Sequence, residues 1–229
     1  MQKSEITDVF FDLDHTLWDF DKNSALAFER VFKKHKIELP LLDFLKVYEP
    51  INLNYWKKYR EDRVSKEQLR RGRLTETFDC FKLKFPLEII DSVAHCYIEE
   101  LPLDNHLFNG AVEILDYLSP NYKLHIITNG FEEVQHLKLQ NSGIKKYFNT
   151  ITTSEEVGLK KPHPVIFKTA LMKAMVSSEK SVMIGDSLEA DILGAQKAGM
   201  YTLFFNYRNE TVSVPHFAIS ELSEIKEHL

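Results

Sequence analysis

The sequence predicts an α/β protein in which a doubly wound parallel sheet is interrupted by a small α-helical insert. At the start of the chain and again beyond residue 107, short apolar stretches alternate with helical patterns, which is typical of β-α-β units. Between these regions the pattern is helical and contains no convincing strand. We therefore predict a core of residues 1–17 and 107–229, and an inserted helical domain of residues 18–106.

The composition is that of a globular protein with a sizeable core. The chain has 229 residues, of which 44% are hydrophobic and 28% charged. A net charge of -5 argues against bulk-charge binding to a nucleic-acid polymer or a membrane surface. No apolar run is long enough to span a bilayer and no signal peptide is evident, so we expect a cytoplasmic protein. Cys80 and Cys96 form no zinc pattern, and we expect them to be reduced.

The first strand, residues 9–11, is followed directly by two acids, Asp12 and Asp14. Side chains two apart in an extended chain point the same way, so both carboxylates can face one site. Like charges this close repel each other unless a cation lies between them, and Mg²⁺ prefers such oxygen ligands. One carboxylate could attack phosphorus while the other donates a proton to the leaving oxygen. An acidic turn with no catalytic role gives the same local pattern.

The insert is predicted to contain four helices. Apolar residues recur at helical spacing over residues 25–32, and a second helix is expected over residues 42–60. Ser65 has the position of a capping residue that begins the third helix, because a glutamine follows three residues later. The fourth helix follows Pro86 and ends near Leu101.

The insert joins the core beside Asp14 and near Pro102, so it is placed to close over the acidic site and exclude water. Within it, Asn52, Trp56 and Arg73 are candidates for contacting a planar substrate, by stacking or by hydrogen bonds to its edge. Aromatic residues in helices are more often core residues, and Arg73 belongs to a basic run typical of a solvated face. The sequence favours this second explanation for any single residue.

Two further motifs lie downstream. A strand over residues 124–127 ends in Thr128 and Asn129, whose hydroxyl and backbone N–H groups can hold a phosphate oxygen, although Asn-Gly is also a common turn. Lys161 is held in an extended conformation by Pro162, and its ammonium could neutralise a nucleophile and a phosphate oxygen. An ordinary surface lysine is the alternative explanation.

Further strands are predicted over residues 150–152, 181–184 and 201–205. The strand over residues 181–184 is followed by Asp186, which would complete the metal site. Asp191 falls in the first turn of the next helix, where it could orient Lys161 or a metal-bound water, although acids are favoured there in any helix. Asp12, Thr128 and Asp186 each follow a predicted strand, and open parallel sheets collect their ligands at these carboxyl ends. The order of elements predicts a Rossmann-like core.

The chain resembles the haloacid dehalogenase-like superfamily of phosphatases and phosphotransferases. Its four motifs occur in order: Asp12-Leu13-Asp14-His15-Thr16, the strand ending at Thr128, Gly158 to Pro162, and Gly185-Asp186 with Asp191. The resemblance implies Asp12 as nucleophile and Asp14 as general acid and base. It also implies Mg²⁺ bound by Asp12, the Asp14 backbone carbonyl and Asp186, with a helical cap that selects the substrate.

A finer resemblance, to the noncanonical pyrimidine nucleotidase branch of this superfamily, rests on residues 11–20, 126–131 and 154–158. It implies a 5′-nucleotidase acting on UMP, dUMP and dTMP, and the branch's cap pattern is matched by Asn52, Trp56 and Arg73. His15 departs from the branch, in which an acid is usual at this position. We expect His15 to tune the activity rather than abolish it.

These observations predict a Mg²⁺-dependent phosphomonoester hydrolase with an aspartyl-phosphate intermediate, acting as a monomer or a homodimer on a small substrate. The phosphate oxygens would be held by Thr128, Asn129 and Lys161. Alternatives are a phosphatase for sugar phosphates, a phosphomutase and a dehalogenase, which needs no metal. A non-catalytic binding protein is the least favoured, since it should have lost a catalytic residue and every one is present.

Overall fold

The computed structural model describes residues 5–209, 211 and 217–229. Residues 1–4, 210 and 212–216, which belong to the predicted core, lie outside the described residues. The chain forms two compact units, one of Met1–Phe20 with Asn105–Leu229 and one of Asp21–Asp104. In the described part of the chain, no helix has both the length and the apolar character needed to cross a membrane.

The first unit contains a sheet of six described strands: β1 (Asp8–Phe11), β2 (Lys123–Thr128), β3 (Phe148–Thr153), β4 (Ser181–Gly185), β5 (Tyr201–Phe205) and β6 (Phe217–Ile219). Their order is β3-β2-β1-β4-β5-β6 and every neighbouring pair is parallel. The chain order changes direction at β1, so the carboxyl ends of β1, β2 and β4 border the crevice where such sheets bind ligands. The predicted doubly wound sheet is confirmed, and β6 is an additional strand.

The second unit is helical: α1 (Phe20–His35), α2 (Leu41–Arg60), α3 (Lys66–Cys80) and α4 (Leu87–Glu100). Its centre is aromatic. The ring of Phe28 lies 4.2 Å from that of Tyr97, 4.7 Å from Tyr48 and 4.9 Å from Phe44, centroid to centroid. Such rings contribute large buried areas with favourable edge and stacked geometry. Ser65 caps α3 with the predicted capping box.

Helices of the first unit surround the sheet: α5 (Ala111–Leu118), α6 (Glu132–Asn141), α7 (Ser154–Val157), α8 (Pro164–Ala174), α9 (Gly194–Lys197) and α10 (Ile225–His228). Strand residues Phe10, Ile127 and Met183 pack against Ile166 and Phe167 of α8. Because β1 is buried along its whole length, the residue that follows it emerges from a rigid backbone.

A buried polar network crosses three strands of the sheet. His125 Nε2 lies 2.9 Å from Asp8 Oδ1, and its Nδ1 lies 2.8 Å from Thr150 Oγ1. The imidazole also stacks on the ring of Phe10 at 4.6 Å. Burial lowers the pKa of His125, although the neighbouring Asp8 acts in the opposite direction. Both ring nitrogens have partners, so the buried imidazole is satisfied in its neutral form.

Candidate active site

Asp12 follows β1 and is held by a buried lysine. Its Oδ1 accepts a hydrogen bond from Lys161 Nζ at 2.6 Å, and the two side chains are 11% and 2% exposed. Lys161 Nζ also donates to the Ile127 carbonyl at 2.7 Å and lies 2.7 Å from Asp191 Oδ1. The ammonium is therefore held by two hydrogen bonds and a close ion pair. Burial lowers the pKa of Lys161, but the charges of Asp12 and Asp191 more than offset this and raise it.

Three carboxylates meet around this lysine. One oxygen from each of Asp12, Asp186 and Asp191 lies within 4.8 Å of the other two. Burial raises the pKa of Asp12 to about 7 against the opposing charge of Lys161. Burial, and then the charges of Asp191 and Asp12, raise the pKa of Asp186 well above its usual value. Three carboxylates share one ammonium, an imbalance that a divalent cation would neutralise, and an all-oxygen donor set fits Mg²⁺.

The ligands predicted from the sequence were Asp12, Asp186 and the Asp14 backbone carbonyl. The two side chains lie in the carboxylate cluster. The turn after β1 is closed by a hydrogen bond from the Trp18 N–H to the Leu13 carbonyl at 2.9 Å, which does not use the Asp14 carbonyl. The ligand role of that carbonyl stays a prediction.

Asp191 lies in a π-helix, Leu188–Leu193, where an ordinary helix was predicted. Its Oδ2 accepts a hydrogen bond from the Ser187 N–H at 3.0 Å, while Oδ1 faces Lys161. A Cβ atom on Gly185 would overlap this carboxylate, so the glycine allows the close approach. Since both oxygens of Asp191 have protein partners, the geometry favours its role in orienting Lys161. Single π-helical turns occur frequently at functional sites.

Thr128 and Asn129 continue from the end of β2. Thr128 Oγ1 accepts hydrogen bonds from the Gly130 N–H at 3.1 Å and from Gln135 Nε2 at 2.6 Å, so its own proton is the group left to donate. The Asn129 side chain makes two hydrogen bonds to the backbone of Lys161, at 2.9 and 2.8 Å. Phosphate binding by Asn129 therefore has to use its backbone N–H, and its side chain positions Lys161.

Asp14 is held separately from the cluster, by two residues of α6 that were not singled out in the sequence. Lys138 Nζ donates to Oδ1 at 2.6 Å and Gln135 Nε2 donates to Oδ2 at 3.0 Å. Both donor side chains are buried. The signal was present in the sequence, because Gln135 and Lys138 lie on the same stripe of α6 as the buried Val134 and Leu139. Polar side chains on the buried stripe of a helix need hydrogen-bond partners inside the protein.

The ring of His15 contacts residues that follow β5. Its Nδ1 lies 3.0 Å from the Tyr207 hydroxyl and 3.2 Å from Arg208 Nη2. Its backbone φ of 63° lies in the left-handed region, which side chains rarely adopt outside tight turns. Next to it, Thr16 Oγ1 accepts a hydrogen bond from the Asp186 N–H at 3.1 Å, which ties the first motif to the last.

In the helical unit, Arg73 is 2% exposed, so its assignment to a solvated basic face is wrong. Its Nη1 donates to Asn52 Oδ1 at 2.8 Å, and the guanidinium lies 5.2 Å from the ring centre of Tyr97. Among the described residues, its Nε has no hydrogen-bond partner and no carboxylate forms an ion pair with it. A buried cation without a carboxylate is costly to keep in a fold.

The third predicted cap residue, Trp56, is half-buried and its ring packs edge-on against Tyr59 at 5.8 Å. Tyr59 is buried, which agrees with the core explanation for aromatic residues of this helix. The structure therefore brings Asn52 and Arg73 into direct contact, and the contact role of Trp56 stays a prediction.

A doubly wound sheet with an aspartate, a buried lysine and further carboxylates at its switch point places these groups where such sheets bind their ligands, at the carboxyl ends of the strands. Residues 9–205 match the family model of the haloacid dehalogenase-like hydrolases. The chain belongs to this family, and the superfamily resemblance is confirmed.

Several relatives match almost the whole chain. Pyrimidine 5′-nucleotidase YjjG of Escherichia coli is 32% identical, with 96% of each chain covered. Pyrimidine 5′-nucleotidase PynA of Streptococcus pneumoniae is 30% identical, covering 96% of this chain and 94% of its own. A glyceraldehyde 3-phosphate phosphatase of Methanothermobacter thermautotrophicus is 28% identical, covering 96% and 98%. The magnesium-bound crystal structure of HAD-hydrolase YfnB of Bacillus subtilis has a TM-score of 0.90 at 28% identity, with 98% of each chain covered.

Proposed function

We propose that this chain is a Mg²⁺-dependent phosphomonoester hydrolase that forms an aspartyl-phosphate on Asp12 and acts on pyrimidine nucleoside monophosphates such as UMP, dUMP and dTMP. The observation that carries the chemistry is the unequal environment of two carboxylates two residues apart. Asp12 lies in the cluster with Lys161, whereas Asp14 is held by Lys138 and Gln135. Carboxylates in different environments take different catalytic roles.

In the first half reaction Asp12 attacks the phosphorus in line. Lys161 occupies its Oδ1, so Oδ2 is the attacking oxygen. Asp14 gives a proton to the leaving oxygen. The Thr128 hydroxyl, whose lone pairs are already used, and the Asn129 N–H donate to the phosphate oxygens as charge redistributes. The Lys161 ammonium already contacts Asp12, the Ile127 carbonyl and Asp191, so a bond to the phosphate has to be made beside these contacts.

In the second half reaction a water molecule attacks the aspartyl-phosphate. Asp14 takes the proton of the water, and the electron pair of the broken bond returns to Asp12. Mg²⁺, held by Asp12, Asp186 and the Asp14 carbonyl, would act as a Lewis acid that polarises a phosphate oxygen and offsets the charge of the cluster. Asp191 keeps Lys161 in place throughout.

For the substrate, we propose that the helical unit is the selecting cap. The two relatives named as pyrimidine 5′-nucleotidases support a nucleotide substrate. The buried pair of Arg73 and Asn52 supports it further, because Asn52 Oδ1 is used by Arg73 and Tyr48, and the remaining guanidinium and amide N–H groups are donors that match the carbonyl oxygens of a pyrimidine.

A second candidate substrate is a small phosphorylated metabolite, which keeps the same chemistry. The similarity to an enzyme named glyceraldehyde 3-phosphate phosphatase, over 96% of this chain, favours it. The two candidates differ in the part of the substrate that the helical unit would contact: a planar base in one case and a short carbon chain in the other.

The test is phosphate release from nucleoside monophosphates and sugar phosphates, with Mg²⁺ and with EDTA. We expect Mg²⁺-dependent release that is greatest for UMP, dUMP or dTMP. Asp12→Asn should lower turnover by ~10⁴-fold or more with the fold retained. Asp79→Asn, the same change at an exposed position of α3, is the control and should be fully active. Full activity of D12N would overturn the mechanism, and a preference for triose or sugar phosphates would favour the second substrate class.

A further inference from the structure

Both oxygens of the Asp14 carboxylate are held by α6. Lys138 Nζ donates to Oδ1 at 2.6 Å and Gln135 Nε2 donates to Oδ2 at 3.0 Å. The two donors are three residues apart, so they lie on the same face of the helix. Gln135 is 0% exposed and Lys138 is 2% exposed. A carboxylate whose two oxygens are held by buried donors keeps a single orientation.

The lysine is itself fixed in place. Its Nζ lies 4.1 Å from the ring centre of Trp18 and 5.1 Å from that of Phe20. An ammonium near aromatic faces is stabilised by the quadrupole of the rings, whose faces are electron-rich. Trp18 belongs to the same turn as Asp14, so the lysine links α6 to the turn that carries the acid.

The glutamine connects Asp14 to the phosphate-binding motif. The same Nε2 that contacts Asp14 also donates to Thr128 Oγ1 at 2.6 Å. A Cβ atom on Gly130 would overlap the Gln135 amide, so the glycine leaves room for this contact. One amide group therefore links Asp14, the proposed general acid and base, to Thr128, the proposed donor to the phosphate.

We infer that Lys138, together with Gln135, is a positioning residue that aims Asp14 in both half reactions. This inference rests on the proposed function and deepens it. Lys138 holds Oδ1, so Oδ2, which keeps a lone pair beyond its bond to Gln135, is the oxygen open to proton transfer.

Two proton transfers depend on this aim. In the first, the bond from phosphorus to the leaving oxygen breaks, its electron pair goes to that oxygen, and the Asp14 proton follows. In the second, the water oxygen bonds to phosphorus, the bond to Asp12 breaks with its pair returning to the carboxylate, and the water proton goes to Asp14. Misplacing a catalytic group by about 1 Å can cost ~10²-fold in rate.

The experiment compares two substrates in Lys138→Met, which keeps the length of the side chain and removes its charge. UMP has a leaving oxygen that needs a proton, whereas p-nitrophenolate leaves without one. For K138M we expect kcat for UMP to fall ~10²-fold with KM nearly unchanged. With p-nitrophenyl phosphate we expect a burst of about one p-nitrophenolate per enzyme, slow steady turnover and trapped phosphoenzyme, because only the second step still needs Asp14.

Lys138→Arg keeps the charge and should restore much of the rate, and Lys168→Met, the same change at an exposed position of α8, should behave as wild type. If K138M does not fold, Gln135→Met takes its place with the same expected burst. Equal losses on both substrates without a burst, or no loss at all, overturn the inference while the proposed function stands. A wild-type chain inactive on every phosphomonoester overturns both.

Discussion

Magnesium and pH should act together on the stability of this protein, because its acidic cluster has more negative than positive charge. Asp12, Asp186 and Asp191 face the single ammonium of Lys161. Burial raises the pKa of Asp12 from 3.8 to about 7. The folded chain therefore binds more protons than the unfolded chain between these values, so the metal-free protein loses stability as pH rises through this window.

The magnitude follows from the size of that change. Each pKa unit corresponds to about 1.4 kcal/mol, so ionised Asp12 costs the metal-free fold about 4 kcal/mol above pH 7. The raised pKa of Asp186 acts in the same direction. Lys161 stays protonated across the window, so its contribution is constant. For a chain of this size, a loss of about 4 kcal/mol lowers Tm by ~10 °C.

The assay is thermal unfolding at about pH 5 and about pH 8, each with Mg²⁺ and with EDTA. Between these pH values the Asp12 contribution changes by about two pKa units, or about 3 kcal/mol, so we expect Mg²⁺ to raise Tm by ~8 °C more at the higher pH, where Asp12 is ionised without it. Asp186→Asn should raise the metal-free Tm at the higher pH and shrink the response to Mg²⁺. His125 also titrates in this window, but its effect is the same with Mg²⁺ and with EDTA, so it cancels when the two are compared at one pH. A Mg²⁺ response that is equal at both pH values would refute the reasoning.

Three further outcomes are expected. Gly185→Ala places a Cβ in the Asp191 carboxylate, so kcat should fall ~10-fold or more while circular dichroism shows an intact fold. Arg73→Met should change the urea-measured stability by less than ~2 kcal/mol, because its charge has no carboxylate partner, yet lower kcat/KM for UMP ~10-fold or more and spare p-nitrophenyl phosphate. Burial lowers the pKa of His125, so His125 contributes a loss of stability as pH drops below 6.5, because the unfolded chain takes up the proton first; this loss opposes the gain from Asp12. From about pH 7 to about pH 5, the urea-measured stability of His125→Gln should therefore rise relative to that of wild type, and an unchanged difference would contradict the role of His125.

The regular elements were largely predictable from local pattern. The four helices of the second unit and β1 to β5 were all expected, because continuous apolar strands and capped helices carry strong local signals. β6 was not expected. It has three residues with burial on only one of them, and it exists as a strand through its pairing with β5.

The candidate site also contains residues that could be predicted from the sequence and residues that could not. Asp12, Thr128, Lys161 and Asp186 follow short motifs, so their positions at strand ends could be predicted without coordinates. The partners of Asp14 could not, since Gln135 and Lys138 are separated from it by more than 120 residues. Their spacing on α6 shows which face they share, and only the packing of that helix shows what they meet.

The sequence by itself determined the parallel core, the helical insert and the residues that can do chemistry, because strand ends, caps and turns depend on neighbours in the chain. Only the tertiary structure decided how that chemistry is divided. It paired Asp12 with Lys161 and Asp14 with Lys138, committed the Asn129 side chain to the backbone of Lys161, and buried Arg73. The charge of a carboxylate is set by what surrounds it in space, and burial and long-range contacts are not encoded in local spacing.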